Sequence, residues 1–159
     1  MTITVTSSLF ADGETIPASA AHTMAGGDDV SPDLSWTGAP DGTQSYAVTC
    51  HDPDAPTTVG FTHWVLFNLS AETTSLPAGA GAEGQAPGGG VHGITDWGDQ
   101  QWGGMAPPPD DPAHHYVFTV FALDDTLDLD ERTTYAKLRF MMRGHILDEG
   151  SLTGTFAVG

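Results

Sequence analysis

The segment from residue 61 to residue 69 constrains the fold more than any other part of the sequence. In an extended chain, Val65 and Phe67 lie on one face. Trp64 and Leu66 lie on the other, so both faces are apolar. A strand in a sheet with one face open to solvent needs only one apolar face. The segment therefore predicts an interior strand that is covered on both sides.

Residues 46–51 and 115–123 also have strand character, and long irregular connections rather than helices separate the three strands. This combination favours a mainly β protein, an antiparallel Greek-key β-sandwich with long loops. Residues 2–5 alternate polar and apolar side chains and predict an opening strand. Residues 78–90 are rich in Gly and Ala and predict a loop, not a domain linker. We therefore expect residues 1–159 to form a single domain.

A helix is predicted near the C-terminal end of the chain. Apolar side chains recur there at helical spacing, at Tyr135, Leu138, Met141 and Met142. Thr133 or Thr134 can cap its start, and Gly144 can end it. The four basic residues of the chain lie in or beside this helix: Arg132, Lys137, Arg139 and Arg143. Either the helix docks its basic face on the acidic body, or it binds an anionic partner.

The sequence is strongly acidic, because 21 Asp and Glu residues against 4 Lys and Arg give a net charge of −17. Nucleic acids and anionic membranes are bound through clusters of Lys and Arg, so we expect neither partner. Dispersed acidic residues favour a halophilic protein, since the Debye length falls to about 3 Å at 1 M salt and repulsion is screened. No signal peptide or membrane-spanning run is visible, so we expect a cytoplasmic protein.

The clearest functional signal is the run His51-Asp52-Pro53-Asp54-Ala55-Pro56. Two prolines restrict its backbone, so the turn is rigid and can hold a carboxylate in a fixed direction. Asp52, at the end of a strand, is the predicted pocket member. Asp54 either joins the pocket or bonds nearby backbone N–H groups, as in an Asx turn.

His63 lies in the middle of a predicted strand, on the face of Phe61 and Val65. A lone buried histidine is more often a core residue than a ligand. Here, however, Asp52 ends the preceding strand and can hold the His63 imidazole in one tautomer. We therefore expect His63 to lie in the pocket.

His114 and Tyr116 follow a turn that Pro107, Pro108 and Pro109 make rigid. Together with the aspartates and His63, they could bind a small anion such as a phosphoryl group. Carboxylates repel an anion, so its binding needs protonated imidazoles or backbone N–H groups. Three small residues could let a ligand approach such N–H groups: Gly103, Gly104 and Ala106.

A divalent metal is the alternative occupant. The side chains capable of binding one are His51, Asp52, Asp54, His63 and His114. The sequence has no HExxH or paired CxxC spacing, so no metal and no other cofactor is predicted. It also has no GxSxG motif, so no catalytic nucleophile is predicted.

These segments, in this order, resemble the phosphatidylethanolamine-binding protein family, in its compact bacterial and archaeal branch, often labelled Raf-kinase-inhibitor-like. The resemblance rests on residues 31–36, 51–56, 63–68, 103–116 and 144–149. It implies a β-sandwich with an anion pocket formed by Asp52, His63, His114 and Tyr116, with Phe61 and Pro107 as walls. Two positions depart from the family pattern. His115 replaces an arginine, and Met105 stands within the Gly-Gly-Pro run, which predicts an altered rim.

We therefore expect a non-enzymatic protein that binds a small anionic or phosphorylated ligand, with a regulatory role as one option. The predicted ligand-binding residues are Asp52, Asp54, Pro56, Phe61, His63, Gly104, Ala106, Pro107, His114 and Tyr116. Two alternatives stay open: a hydrolase or other enzyme that uses the Asp and His side chains, and an adaptor that acts through its protein surface. A homodimer is a further option for this branch.

Overall fold

Two antiparallel sheets make up the β structure of the computed structural model, which describes residues 2–84 and 86–159. The smaller sheet contains, in spatial order, β1 (Thr4–Thr6), β2 (Leu34–Thr37) and β5 (Ser75–Leu76). The larger sheet contains β6 (Val91–His92), β4 (Phe61–Ser70), β3 (Ser45–Asp52), β7 (His114–Leu123) and β8 (Ile146–Phe156). One α-helix, α1 (Tyr135–Met142), and two 3-10 turns (Ala18–Ala20 and Thr23–Ala25) complete the described elements.

The larger sheet has the strand order of a Greek key, with β5 of the smaller sheet inserted in the chain between β4 and β6. Strands β3, β4 and β6 lie side by side, and the chain then returns to place β7 on the free edge of β3. Reading across the sheet, the fourth strand of the set lies beside the first, which is the arrangement that defines this motif. The predicted antiparallel β-sandwich is confirmed, together with its C-terminal helix and long loops.

The larger sheet is covered on both faces. One face packs in the main core, whose strand residues include Val48, Cys50, Trp64, Leu66, Phe118 and Val120. The other face lies under α1, and a second cluster there joins Ala47, Val65, Phe67 and Phe121 to Leu138 and Met142. Two covered faces explain why these strands are apolar at successive positions. The prediction of an interior strand at residues 61–69 is confirmed.

Strand β4 is irregular at the position that matters most for the site. The strand pairs on either side of the irregularity are Cys50 with Trp64 and His51 with Thr62. His63 is therefore an extra residue in β4, a β-bulge that changes the direction of its side chain. Its ring packs near Tyr116 and Trp102 in the main core, whereas Val65 and Phe67 face the helix. The expectation that His63 shares a face with Val65 is wrong because the bulge breaks the alternation.

Helix α1 has the predicted ends. The Thr134 hydroxyl accepts a hydrogen bond from the Lys137 N–H at 3.2 Å, which caps the first turn. Gly144 follows with φ of 84°, the left-handed conformation that ends many helices. Two of the four cations make different contacts: Arg132 pairs with Asp130, and Arg139 lies over the Phe121 ring. Among the described residues, no helix has the length and apolar character that a membrane crossing requires.

Strands β3, β4 and β7 extend at most one residue beyond each predicted boundary, and the larger differences concern other strands. Strand β1 begins two residues later than expected, at Thr4. Strand β8, eleven residues long, was not predicted, and neither were the short strands β2, β5 and β6. The predicted loop at 78–90 is confirmed for its described residues, while Gln85 lies outside them.

Glycine explains why β8 was missed. Gly150 and Gly154 interrupt the strand pattern, and glycine weakens a strand by itself. In the structure, a Cβ at Gly150 would overlap the carbonyl oxygen of Ile3, and one at Gly154 would overlap the side chain of Ile16. The two glycines therefore let the N-terminal segment pack directly on β8.

Replacing Gly150 with alanine should destabilise the fold, because the added methyl group forces Ile3 away from β8. We expect the free energy of unfolding in urea to fall by about 1–3 kcal/mol. Glu149→Ala, at the exposed neighbouring position, is the matched control and should change it by less than about 0.5 kcal/mol. Equal values for the two variants would contradict the proposed close packing.

Candidate functional site

A cavity of about 250 Å³ lies where β3 ends and where β4 and β7 begin. Its polar side chains are Asp52, Thr57, His63, His114 and Tyr116. Its apolar lining consists of Ala55, Pro56, Phe61, Trp97, Ala106, Pro107 and Pro108. A small concave site with apolar walls and a few converging polar groups is the usual form of a ligand pocket.

Most of the residues predicted from the sequence meet at this cavity. Those in its lining are Asp52, Pro56, Phe61, His63, Ala106, Pro107, His114 and Tyr116. Asp54 and Gly104 are not in the lining. Four lining residues were not predicted: Ala55, Thr57, Trp97 and Pro108. Three of these adjoin predicted prolines, but Trp97 comes from a distant polar loop and carries no local signal of its role.

A buried ion pair fixes the floor of the cavity. The Asp52 carboxylate accepts a hydrogen bond from His114 Nδ1 at 2.7 Å, and both side chains are almost completely buried. The pair joins the last residue of β3 to the first residue of β7. The sequence predicted that Asp52 would orient His63. That prediction is wrong, because β3 pairs with β7 in a register that brings His114 to the carboxylate.

His114 is held at both ring nitrogens. Its Nε2 donates to the Asp111 carboxylate at 2.8 Å, while Nδ1 donates to Asp52. Since an ionised carboxylate only accepts hydrogen bonds, both nitrogens carry protons and the ring is an imidazolium. Burial alone would lower the pKa of His114, but the bonds to Asp52 and Asp111 outweigh it and raise the pKa above 6.5. Two carboxylates around one cation leave the cluster with a net negative charge.

His63 has the opposite charge state. Its Nδ1 donates to the carbonyl oxygen of Gly103 at 2.6 Å. Burial lowers the pKa of His63 to about 4, and the Gly103 bond and the nearby Asp52 charge offset only part of that effect. The ring is therefore neutral at neutral pH. With its proton on Nδ1, the Nε2 atom is a hydrogen-bond acceptor.

The hydroxyl group of Tyr116 is buried and has no hydrogen-bond partner among residues 2–84 and 86–159. Its ring meets the His63 ring edge to face, with centroids 5.2 Å apart. Burial, together with the nearby Asp52 charge, raises the pKa of Tyr116 well above 10, so the group stays a neutral O–H. A buried polar group without a partner is unfavourable by about 1–3 kcal/mol, so such a group indicates a place for a ligand atom.

Asp54 supports the floor from outside the cavity. Its backbone N–H donates to Asp52 at 2.8 Å, which fixes the direction of that carboxylate. Its own carboxylate accepts from both the backbone N–H and Nδ1 of His115, each at 2.7 Å. The ring bond and then the backbone bond from His115 lower the pKa of Asp54. His115 is thus bonded to Asp54 at the exposed rim.

The small residues after Trp102 have a packing role. The Gly103 N–H already donates to the His63 carbonyl oxygen, and the Gly104 N–H donates to Asp29. The prediction that a ligand can approach the backbone N–H groups here is wrong for Gly103 and Gly104, while Ala106 does line the cavity. A Cβ at Gly103 would overlap the Trp97 ring, so this glycine allows Trp97 to line the cavity. Met105 is fully buried in the main core, so the predicted change of the rim at this position is also wrong.

The alternative metal-binding set does not come together. His51 points to the helix side of the sheet, where its ring stacks on Tyr135 at 5.3 Å. Its Nε2 bonds the Val59 carbonyl oxygen at 2.8 Å. Within residues 2–84 and 86–159, no group of three or more His, Cys, Asp and Glu side chains is arranged to hold a metal ion.

The fold and the cavity define a β-sandwich protein with a small binding pocket at the ends of its central strands. The family model described as "Phosphatidylethanolamine-binding protein" matches residues 6–157, and the chain belongs to that family. The family prediction from the sequence is confirmed.

Bacterial relatives match over nearly the whole chain. The UPF0098 protein YbhB of Escherichia coli (strain K12) is 42% identical over 150 residues, which cover 92% of this chain and 94% of YbhB. The crystal structure of YbcL from E. coli has a TM-score of 0.94 at 36% identity and covers 100% of both chains. The phosphatidylethanolamine-binding protein from Plasmodium vivax has a TM-score of 0.58 at 11% identity, covering 97% of this chain and 85% of its own, and shares the fold.

Burial of a neutral His63 predicts a loss of stability in mild acid. The unfolded chain binds a proton at this residue below pH 6.5, whereas the folded protein does not until about pH 4. Between these pH values the unfolded state holds more protons than the folded state. The free energy of unfolding therefore decreases as the pH is lowered, by on the order of 1–2 kcal/mol from pH 6.5 to pH 5.

Urea denaturation at several pH values should show a smaller decrease in the free energy of unfolding for His63→Gln than for the wild type. The control His145→Gln, at a half-exposed histidine, should follow the wild type. Equal slopes for wild type and His63→Gln would contradict this account.

Proposed function

We propose that the protein binds a small phosphorylated molecule in this cavity and does not convert it. The observation that carries the proposal is the pairing of an unpartnered donor with an acceptor. The Tyr116 hydroxyl is buried with no hydrogen-bond partner among the residues that the structure describes, and Nε2 of the neighbouring His63 is an acceptor. A phosphoryl group that keeps one proton can accept from the first and donate to the second.

The charge of the floor supports the singly protonated form of the phosphoryl group. His63 is neutral, and the positive charge of His114 is enclosed by Asp52 and Asp111. The net negative charge of the floor would repel a fully ionised phosphate. A monoanion is repelled less, and its remaining O–H can donate a hydrogen bond. The second pKa of a phosphate ester is about 6, so the protonated form is accessible near neutral pH.

The walls support a headgroup that also carries a cation. The rings of Phe61 and Trp97 meet edge to face at 5.2 Å on one side of the cavity. Aromatic faces attract ammonium groups by about 0.5–2 kcal/mol. A zwitterion such as phosphorylethanolamine therefore suits the cavity better than a bare anion. The acidic surface, with its net charge of −17, disfavours anionic bilayers, so we propose a free compound rather than a lipid held in a membrane.

The hydrogen bonds of the two histidines support binding without chemistry. A general base needs a free nitrogen with a pKa near the working pH. His114 has both nitrogens protonated and bonded, and the pKa of His63 lies near 4. Neither ring is thus prepared to take a proton from a substrate at neutral pH.

An NMR titration of the histidine side chains with phosphorylethanolamine and inorganic phosphate tests the proposal. We expect saturable shifts at His63 and His114, tighter binding at pH 6 than at pH 8, and tighter binding of phosphorylethanolamine than of phosphate. The reason is that both the protonated phosphoryl group and the ammonium group reduce repulsion by the floor. Absence of shifts with millimolar ligand would contradict the proposal, and release of inorganic phosphate from the ester would favour a hydrolase.

Tyr116→Phe provides the matched variant for this titration. The lost hydroxyl has no hydrogen-bond partner among the described residues, so the free energy of unfolding should stay equal or rise by up to about 1 kcal/mol. Phosphorylethanolamine should bind roughly tenfold more weakly, because one hydrogen bond to the phosphoryl group is lost. Tyr46→Phe, in the core away from the cavity, should leave the affinity unchanged. Unchanged affinity in Tyr116→Phe would contradict the assigned donor.

A further inference from the structure

Asp111 occupies a donor that an incoming phosphoryl group would otherwise use. It lies in the loop before β7, where its N–H donates to the Pro108 carbonyl oxygen at 3.0 Å and closes a turn. From that turn its carboxylate reaches His114 Nε2 at 2.8 Å. His114 lines the cavity, but Asp111 itself does not. The loop thus brings a carboxylate of this chain to the edge of the ligand site.

The two carboxylates on His114 differ in their surroundings. The Asp52 side chain is 3% exposed and is also bonded by the Asp54 N–H, so it is fixed. The Asp111 side chain is 36% exposed and has the His114 bond as its side-chain contact among the described residues. Water can therefore solvate Asp111 if it leaves His114, whereas Asp52 has no such alternative. Asp111 is the carboxylate that a ligand can displace.

We propose that Asp111 is a specificity-determining residue that competes with the phosphoryl group of the ligand for His114 Nε2. This inference rests on the proposed function. A bare anion has to displace the Asp111 carboxylate from His114, and the displaced carboxylate then repels the bound anion. A zwitterionic headgroup displaces the same carboxylate but offers it an ammonium group. Asp111 therefore weakens binding of simple anions and favours ligands that carry a cation beside the phosphoryl group.

The charged and titratable groups near His114 come from several elements. They are Asp52 on β3, Asp54 in the turn after it, His63 on β4, Asp111 in the preceding loop, and His115 and Tyr116 on β7. On β8, the residue opposite His114 is Phe156, which has no charge. Of the two acids bonded to the His114 ring, only Asp111 is open to substitution without leaving a buried charge unpaired.

The test compares Asp111→Ala with Asp110→Ala. Asp110 is the exposed neighbour on the same loop, so the control removes the same charge without touching His114. Inorganic phosphate should bind Asp111→Ala about three- to fivefold more tightly than the wild type, because the phosphate no longer has to displace a partly exposed carboxylate from His114. The ratio of the affinity for phosphorylethanolamine to the affinity for phosphate should be smaller in Asp111→Ala than in the wild type. Asp110→Ala should match the wild type within about twofold. Asp111→Asn keeps a hydrogen-bond acceptor but loses the charge. Its affinity for phosphate should lie between those of the wild type and Asp111→Ala.

A second readout needs no ligand. In the free protein, the NMR titration midpoint of His114 should fall in Asp111→Ala, because one of its two anionic partners is gone, and should stay unchanged in Asp110→Ala. An unchanged midpoint in Asp111→Ala would overturn the contact on which the inference depends.

The binding outcomes separate this inference from the proposed function. If the wild type binds phosphorylethanolamine but Asp111→Ala gains no phosphate affinity, the inference is wrong and the proposed function stands. Equal gains in Asp111→Ala and Asp110→Ala would reduce the effect to overall charge and would also overturn it. If neither probe binds the wild type or any variant, both proposals fail.

Discussion

The buried hydrogen bond between Asp52 and His114 is the interaction on which the site depends. It connects the end of one central strand to the start of its neighbour and places two charges where water hardly reaches. Burying such charges is favourable only when each is paired and bonded, and here both conditions are met. Asp52 also accepts a hydrogen bond from the Asp54 N–H, and His114 also donates one to Asp111. The net negative charge of the floor follows from this arrangement, and the ligand preference that we propose rests on that charge.

Two histidines that both feel the charge of Asp52 hold opposite charge states. His63 is an extra residue in its strand, and the resulting bulge directs it to a buried place where a backbone carbonyl accepts its proton. Burial therefore dominates, and the pKa falls to about 4. His114 is buried as well, but two carboxylates outweigh burial and raise its pKa. The first ring offers an acceptor to a ligand, while the second contributes charge that the protein already neutralises. The different partners of similar side chains thus divide their roles.

Much of this site could be predicted from the sequence because local rules determine it. Apolar side chains on successive positions identified the central strands, and prolines identified the rigid turns that carry Asp52 and Pro107. The face of His63 could not be predicted, since a bulge depends on pairing with β3. The partner of Asp52 depends on the register between β3 and β7, which no local pattern encodes. Strand β8 was not predicted because Gly150 and Gly154 interrupt its pattern. Their packing against Ile3 and Ile16 is seen only in the folded structure. Trp97 and Asp111 lie in loops, where position follows from tertiary contacts.

The central claim is that the free pocket contains a neutral His63 beside a charged His114. Long-range ¹H–¹⁵N NMR correlation of the imidazole rings in the ligand-free protein at pH 7 measures this most directly, since nitrogen shifts distinguish the two tautomers and the imidazolium. The account predicts a neutral His63 with its proton on Nδ1, and a His114 with protons on both nitrogens. A cationic His63, or a neutral His114, would contradict the arrangement of charge from which the ligand preference is argued.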